Sequence, residues 1–331
     1  MTLAEVVLAA MWIGVTLYAL FGGADFGAGF WDLVAGGAER GRPQRMLIEE
    51  TIGPVWEANH VWLIFVLVVL WTGFPRAFAP IMSTLYVPLT AAAIGVILRG
   101  GSFVFRKSVA GVALERAFGV TFAVSSVLTP FFLGAVAGGV ASGRVPATES
   151  RGDAITSWWN PTSILGGVLA VTVCAYLAAV FLVCDAHRLG RPDLADAFRR
   201  RAIGAGITAG TVAAAGIIVL HHDAPGLFHG LTHRALPLVV VSAAGGAASL
   251  VLLARGRGRE ARVAAGIAVV AIIWGWAAGQ YPYLLEGSLT IAAGAGAHTT
   301  LVAMAVALAV AGALVFPPLA YLLYFAQQAP E

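Results

Sequence analysis

Two side chains that can exchange protons lie in the apolar stretch GPVWEANHVWLI, residues 53–64. Glu57 and His60 stand three residues apart, a spacing that puts both on one face of a helix. A carboxylate and an imidazole arranged in this way can share a proton or a water molecule. What this pair indicates depends on the solvent around it, because a carboxylate is ordinary in water and costly in lipid.

The composition indicates that this solvent is a membrane. Hydrophobic residues make up 59% of the 331 residues and charged residues 11%, whereas roughly a quarter of the residues in soluble globular proteins are charged. Mean hydropathy is +0.86. We therefore expect a polytopic membrane protein in which residues 1–331 form a single integral membrane domain, with no room for a large soluble domain.

Nine apolar runs are long enough to cross a bilayer, which takes roughly 20 residues of helix. They predict an all-α fold with about nine transmembrane helices, at residues 4–34, 52–74, 79–98, 118–138, 162–184, 202–221, 235–254, 262–283 and 301–325. The second span must begin near Gly53, with Pro54 starting or kinking it, because its strictly apolar part covers only half a membrane. The first run lacks a basic segment before it and contains Asp25, so we expect a retained span and not a cleaved signal peptide.

The Lys and Arg residues determine the predicted orientation. All but four of the 20 follow spans one, three, five and seven, and the exceptions are Arg76, Arg144, Arg151 and Arg234. Because basic loops tend to stay in the cytoplasm, this asymmetry places the N-terminus outside and the C-terminus in the cytoplasm. The basic residues occupy four separate loops, which suits contact with anionic lipid and argues against nucleic-acid binding.

Three predicted spans bring ionisable residues to the cytoplasmic third of the membrane. Asp25 lies towards the inner end of span one, Glu57 and His60 lie near the inner start of span two, and Arg99 ends span three. An arginine at that depth could compensate two acids. This convergence favours a proton path through the four residues. The alternative is that Glu57 is a shallow acid that reaches water at the headgroups.

The 40 glycines predict close helix packing. Gly23 and Gly27, four residues apart, have the spacing of a small-residue contact face between membrane helices. No Walker, CxxC or CxxCH pattern occurs, and no internal repeat is evident. The sequence therefore offers no nucleotide, redox-disulfide or covalent-haem motif.

Several motifs resemble subunit II of cytochrome bd-type quinol oxidases. The opening stretch is similar to that family's W-[DE]-G-N-x-V-W segment, with matches at Trp56, Glu57, Asn59, Val61 and Trp62. GGADFGAG is similar to its Asp-Gly-Phe-Asp-x-Gly-x-Gly segment, with matches at Asp25, Gly27 and Gly29. Two further segments resemble its C-terminal pattern: QYPYLLEGSLTI (280–291), which contains Gln280 and Pro282, and LVFPPLAYLLYF (314–325).

The chain departs from the family pattern at three positions near these motifs. Gly22 stands where an earlier aspartate is common, Ala58 replaces a glycine, and His60 replaces the more usual Gln or Glu. These changes bear on the hydrogen bonding around Glu57 and leave the expected fold unchanged.

The resemblance implies two four-helix bundles plus one peripheral helix, in the bacterial cytoplasmic membrane. It implies a heterodimer with a homologous subunit I that carries three haems, two b-type and one d- or b-type, binds the quinol and reduces O₂ to water. A small accessory subunit is a further partner in this family. Subunit II would hold no catalytic residue and no cofactor beyond a structural quinone or lipid, and Glu57 and Arg99 would belong to a cytoplasmic proton path.

The histidines argue independently against haem binding by this chain alone, since two imidazoles must meet at one depth to ligate a b-type haem. His60 is expected in the inner third and His187 at the inner end of span five, while the outer side holds His221, His222, His229, His233 and His298. The segment HHDAPGLFHGLTHR (221–234) could coordinate a metal, but it lacks a defined ligand spacing and is more typical of a solvated loop. We expect no metal site.

Two other classes of function are weighed against the oxidase subunit. A secondary transporter would use buried ions on interrupted helices near the midplane, and Asp25 and Glu57 on Gly- or Pro-containing spans fit that description in part. Their position near one face of the membrane argues against it. A purely structural scaffold would leave the two acids and Arg99 unexplained.

Overall fold

The computed structural model describes residues 1–37, 39–52, 56–106, 112–147 and 151–328; a few side chains within these ranges, those of Trp56 and Glu57 among them, are outside the description. The helices in chain order are α1 (Leu3–Leu17), α2 (Gly23–Leu33), α3 (Arg42–Ile52), α4 (Trp56–Gly73), α5 (Pro75–Thr84), α6 (Tyr86–Arg106), α7 (Val112–Ala141), α8 (Pro161–Arg188), α9 (Pro192–Asp223), α10 (Pro225–Thr232), α11 (Leu236–Ala254), α12 (Gly258–Gln280), α13 (Ile291–Gly294) and α14 (His298–Gln328). Two short antiparallel strands, β1 (Tyr283–Leu285) and β2 (Leu289–Thr290), follow α12.

The polytopic all-α prediction is confirmed. In the described part of the chain, eight helices are long and apolar enough to cross a membrane: Leu3–Leu33, Tyr86–Phe105, Arg116–Ala141, Pro161–Arg188, Pro192–Asp223, Leu236–Ala254, Gly258–Gln280 and His298–Val315. A ninth crossing is obtained when α4 and α5, bent by 118° at Phe74, are taken together. The inside–outside orientation stays a prediction.

The first span is a helix with one π-helical turn at its centre. α1 begins with a capping box, in which Thr2 Oγ1 accepts from the Glu5 amide at 3.3 Å and Glu5 Oε2 accepts from the Thr2 amide at 2.7 Å. Residues Tyr18–Gly22 form the π turn, and α2 continues from it without a break. A π turn inserts an extra residue and shifts the face that the following helix presents. It therefore sets the direction in which the side chains of α2 point.

In each half of the chain, a break follows the second of four spans. α4 stops at Phe74 (φ −136°, ψ 57°) and α9 stops at Ala224 (φ −139°, ψ 64°), and each is followed by a proline that starts a short helix, α5 or α10. Proline suits the first turn because no amide donor is lost there. The third spans, α6 and α11, begin immediately afterwards. The two halves thus share a plan that the sequence did not reveal as a repeat.

The spans before α14 divide in chain order into two groups of four. The first group contains the α1–α2 span, α4, α6 and α7, and the second contains α8, α9, α11 and α12. α8 is the most deeply buried span and also packs against α2 and α7, which joins the groups. The peripheral α14 packs mainly on α1 and α4.

Three sequence predictions about element boundaries are wrong. The run 79–98 was expected as one span, but its first residues belong to α5 and the span begins at Tyr86. The segment 221–234 was expected as a loop, but it is helical in α9 and α10 apart from Ala224 and the last two residues. Residues 42–51, predicted to lie in the loop between spans one and two, form helix α3 together with residue 52, and Leu47 and Ile48 of this helix are buried in the core. Gly53 and Pro54 lie outside the described residues.

Candidate functional site

A buried guanidinium is the centre of the site. Arg99, on α6, has only 1% of its surface exposed. Its Nη2 donates to Asp25 Oδ1 at 2.7 Å and to the Asp25 carbonyl at 3.2 Å, and its Nε donates to Ser126 Oγ at 2.9 Å. The rings of Phe26 and Phe122 lie 5.0 and 4.9 Å from the guanidinium carbon and provide cation–π contacts. The positive charge is thus held by one carboxylate and two aromatic faces.

Asp25 reaches this position because two glycines allow α2 to pack closely. A Cβ on Gly27 would lie 1.8 Å from the Cys174 carbonyl oxygen of α8, and a Cβ on Gly29 would lie 2.2 Å from Ser126 Oγ of α7. Only glycine permits either approach, and Gly27 is in close contact with α8. Gly29 leaves space for the same hydroxyl that Arg99 binds. The GADFGAG motif therefore brings α2 close to α7 and α8 and places Asp25 next to Arg99.

His60 and Tyr18 lie beside the pair around the ring of Phe26. The His60 and Tyr18 rings are 6.1 Å apart between centroids, and they lie 5.9 and 6.2 Å from Phe26. Asn59 is buried and its Nδ2 donates to the Phe21 carbonyl in the π turn at 3.3 Å. This hydrogen bond connects α4 to the π turn, and the neighbouring His60 therefore lies next to α2.

The predicted convergence is found for Asp25, Arg99 and His60. Glu57 lies one turn before His60 on α4, but its side chain is outside the description, so its proximity to Arg99 stays a prediction, as does the role of Trp56. Trp62 is half-buried and packs against Phe65 with 6.3 Å between ring centroids.

The C-terminal motif residues lie away from this site, at the other end of the spans. Gln280 ends α12, where its Nε2 donates to the Leu284 carbonyl at 2.8 Å and its Oε1 accepts from Trp276 Nε1 at 2.7 Å. Pro282 follows a cis peptide bond, and its carbonyl accepts from the Ile291 amide at 2.9 Å. Their hydrogen bonds join the end of α12 to the β1–β2 hairpin and to the start of α13.

The comparison with known families decides the identity. The family model described as cytochrome bd terminal oxidase subunit II matches residues 3–326. The chain belongs to this family.

Relatives and a solved structure agree with the assignment to cytochrome bd subunit II. The chain is 29% identical over 161 residues to the cytochrome bd ubiquinol oxidase subunit 2 of Bacillus subtilis (strain 168), covering 48% of this chain and 47% of that one. It is 25% identical over 179 residues to the cytochrome bd-I ubiquinol oxidase subunit 2 of Escherichia coli (strain K12), covering 51% and 46%. These alignments span about half the length of each relative. The structure of bd oxidase from Geobacillus thermodenitrificans matches with a TM-score of 0.80 and 25% identity over 100% of both chains.

By its family, the chain is a subunit II of the cytochrome bd terminal oxidases. It is an integral membrane protein. The transporter alternative has no support from the family or from the structural match.

Cytochrome bd complexes carry haem, and histidine is a common axial ligand of haem iron. His60 packs among Tyr18 and Phe26, with no second imidazole opposite it among the described residues. The outer pairs are neighbours in sequence: His221 with His222, and His229 with His233 one turn apart. Within the described residues, no group of three His, Cys, Asp or Glu side chains could hold a metal ion.

Two residues and two ion pairs of the structure escaped the sequence reasoning. Ser126 and Tyr18 look like ordinary residues of apolar spans, and no motif marks them. A second buried acid, Asp32, accepts from Arg45 Nε at 2.8 Å near the predicted cytoplasmic surface. At the opposite surface, Asp223 accepts from both Arg144 Nη atoms, at 2.6 and 3.1 Å, and from the Thr162 hydroxyl at 2.6 Å. Charge complementarity between distant loops would have been the only available signal for these two pairs.

Proposed function

We propose that this chain pairs with a haem-bearing subunit I in a heterodimer that oxidises quinol and reduces O₂ to water. Membership of the subunit II family supports this pairing, and the apolar helices support a location in the bacterial cytoplasmic membrane. The quinol would bind the partner, and a small accessory subunit is a further candidate member of the complex. Residues 1–331 would form one membrane domain, because α8 packs against helices of both groups.

The position of the histidines supports haem binding by the partner and not by this chain. We expect the chain expressed alone to copurify without stoichiometric haem, and coexpression with subunit I to give a complex that contains the two b-type haems and a third of d or b type. The reduced-minus-oxidised spectrum of each preparation is the measurement. Stoichiometric haem in the isolated chain would contradict this assignment.

The function proposed for this subunit within the complex is to admit protons from the cytoplasm along Glu57, His60, Asp25 and Arg99. The buried Asp25–Arg99 pair is the observation that carries it, because ionisable residues inside a membrane are costly and usually mark ion or proton routes. Asp25 lies about 12 Å from the end of α2 and Arg99 about 10 Å from the end of α6, at a rise of 1.5 Å per residue. Both are therefore well inside the span.

Replacing Glu57 by Gln tests this path. Gln keeps the size and a hydrogen-bonding amide but cannot titrate, so we expect an assembled complex with normal haem content and slowed quinol oxidase turnover, while Asp is tolerated better. Turnover per haem across pH 6 to 8 is the measurement. If Glu57 is a shallow acid in headgroup water, Glu57→Gln will turn over like the wild type at every pH.

We propose a groove between α6 and α7 as the binding place of the structural quinone or lipid. An apolar groove of about 420 Å³ runs between α6 and α7 and is lined by Ile94, Leu98, Val124 and Leu128 among others. The apolar lining of this groove suits a prenyl or acyl chain.

A further inference from the structure

Three polar atoms next to the Asp25–Arg99 pair are buried and make no hydrogen bond to any described residue. They are Asp25 Oδ2, Tyr18 Oη and His60 Nδ1. Buried polar atoms in proteins are almost always hydrogen-bonded, either to protein or to ordered water. Atoms of this kind are the usual partners of internal water molecules.

Tyr18 and His60 are neighbours around the ring of Phe26, the residue that follows Asp25. The rings of Tyr18, Phe26 and His60 are all about 6 Å from one another. Phe26, which both rings contact, also lies 5.0 Å from the guanidinium carbon of Arg99. The Cys174 thiol of α8 lies close to Gly23 of α2. Glu57 lies on the same helix as His60, one turn nearer the predicted cytoplasmic surface.

Tyr18 extends this polar region into the middle of the membrane. The first span runs from Leu3 to Leu33, and Tyr18 is its central residue. It precedes Asp25 by about 10 Å along the helix axis, in the direction of the predicted outer surface. Tyr18 also begins the π turn, a type of irregularity that is frequent at functional sites.

We propose that Tyr18, His60 and Asp25 bind a short row of water molecules that carries protons from the Asp25–Arg99 pair to the middle of the membrane. The inference rests on the proposed proton path and extends that path from Asp25 to the middle of the membrane. Each transfer moves a proton along a hydrogen bond: a water accepts one at Asp25 and releases one to the next oxygen or nitrogen, so no group gains or loses a proton over a full cycle. The Tyr18 hydroxyl both donates and accepts, and either neutral tautomer of His60 offers a hydrogen-bonding Nδ1.

Two variants at these residues test the row of water molecules, each assayed in the assembled oxidase at matched haem content. Tyr18→Phe removes one hydroxyl and keeps the ring, and His60→Phe removes both ring nitrogens. We expect each to slow turnover about tenfold, which corresponds to about 1.4 kcal/mol of barrier, and to raise the solvent deuterium isotope effect on turnover. His60→Gln, which keeps a side chain that can bind water, should slow turnover less than His60→Phe.

Tyr176→Phe is the matched control, since Tyr176 is a buried tyrosine of α8 whose hydroxyl donates to Ser249 Oγ at 2.5 Å, in the other helix group. It should leave both rate and isotope effect unchanged. If Glu57→Gln is slow while Tyr18→Phe behaves like Tyr176→Phe, the row of water molecules is refuted and the proposed path survives. If Tyr18→Phe is slow with an unchanged isotope effect, its role is structural and the inference also fails. If Glu57→Gln and both new variants all turn over normally, the proton path itself fails.

Discussion

Arg99→Leu is expected to prevent accumulation of an assembled complex. The change leaves Asp25, which is 3% exposed, as a buried carboxylate without its counter-charge, and it also leaves the Ser126 hydroxyl without its donor. Removing one partner of a buried ion pair typically costs about 3–5 kcal/mol, which is a large part of a typical folding free energy. The measurements are the amount of the subunit in the membrane, the haem content and the thermal midpoint of the purified complex.

Two further variants separate the charge from the packing. Arg200→Leu makes the same replacement at an exposed position on α9 and should change the thermal midpoint little, because surface substitutions usually lie within about 0.5 kcal/mol. The double variant Arg99→Leu with Asp25→Asn removes both charges, and replacing a whole buried pair is often neutral for stability. We expect the double variant to recover assembly and to remain slow in turnover. Failure to recover assembly would show that Arg99 stabilises the bundle through its aromatic contacts.

The proximity of Asp25 and Arg99 could be predicted from the sequence, because the depth of a residue in a membrane follows from its position along the span. Both lie near the same end of helices that run in the same direction, so their shared depth could be predicted, and in a small bundle shared depth leaves few partners for a buried charge. The rotation of each helix about its own axis, which decides which side chains face Arg99, could not be predicted in this way. The π turn shifts the register between Tyr18 and Asp25, and Ser126 faces Arg99 only because α7 packs against α2 at Gly29.

The repeated bend was missed for a different reason. The segments FPRAF (74–78) and APGLF (224–228) share only proline and phenylalanine, yet Phe74 and Ala224 adopt almost the same backbone angles. The geometry depends on the proline and on a buried position before it, at 0% exposure for Phe74 and 3% for Ala224. Residues as different as phenylalanine and alanine can fill that position, so similarity of letters did not reveal it. The hydrophobic run also continues from α5 into α6, so the sequence did not show where the third span begins.

Gly27→Ala is expected to be the most damaging single-methyl change in the first span. The added Cβ would lie 1.8 Å from the Cys174 carbonyl oxygen, 2.3 Å from its carbon and 2.8 Å from the Ala178 Cβ. Two of these atoms belong to the backbone of α8, so no rotamer change relieves the overlap, and α2 must move away from α8. Overpacking a core typically costs about 1–3 kcal/mol and occasionally more. Because Asp25 and Gly29 move with α2, we expect turnover per haem to fall as well as the thermal midpoint.

Gly210→Ala supplies the matched control for this prediction. Gly210 is an exposed helical glycine of α9, and a Cβ added there would meet nothing within 4 Å. Alanine is better than glycine in a helix by up to about 1 kcal/mol, so this variant should be as stable as the wild type or slightly more stable, with unchanged turnover. The same chemical change then has opposite effects at two sites, and the difference isolates the contact between α2 and α8. If Gly27→Ala keeps the thermal midpoint of Gly210→Ala, the close approach of α2 to Cys174 is not what holds Asp25 against Arg99.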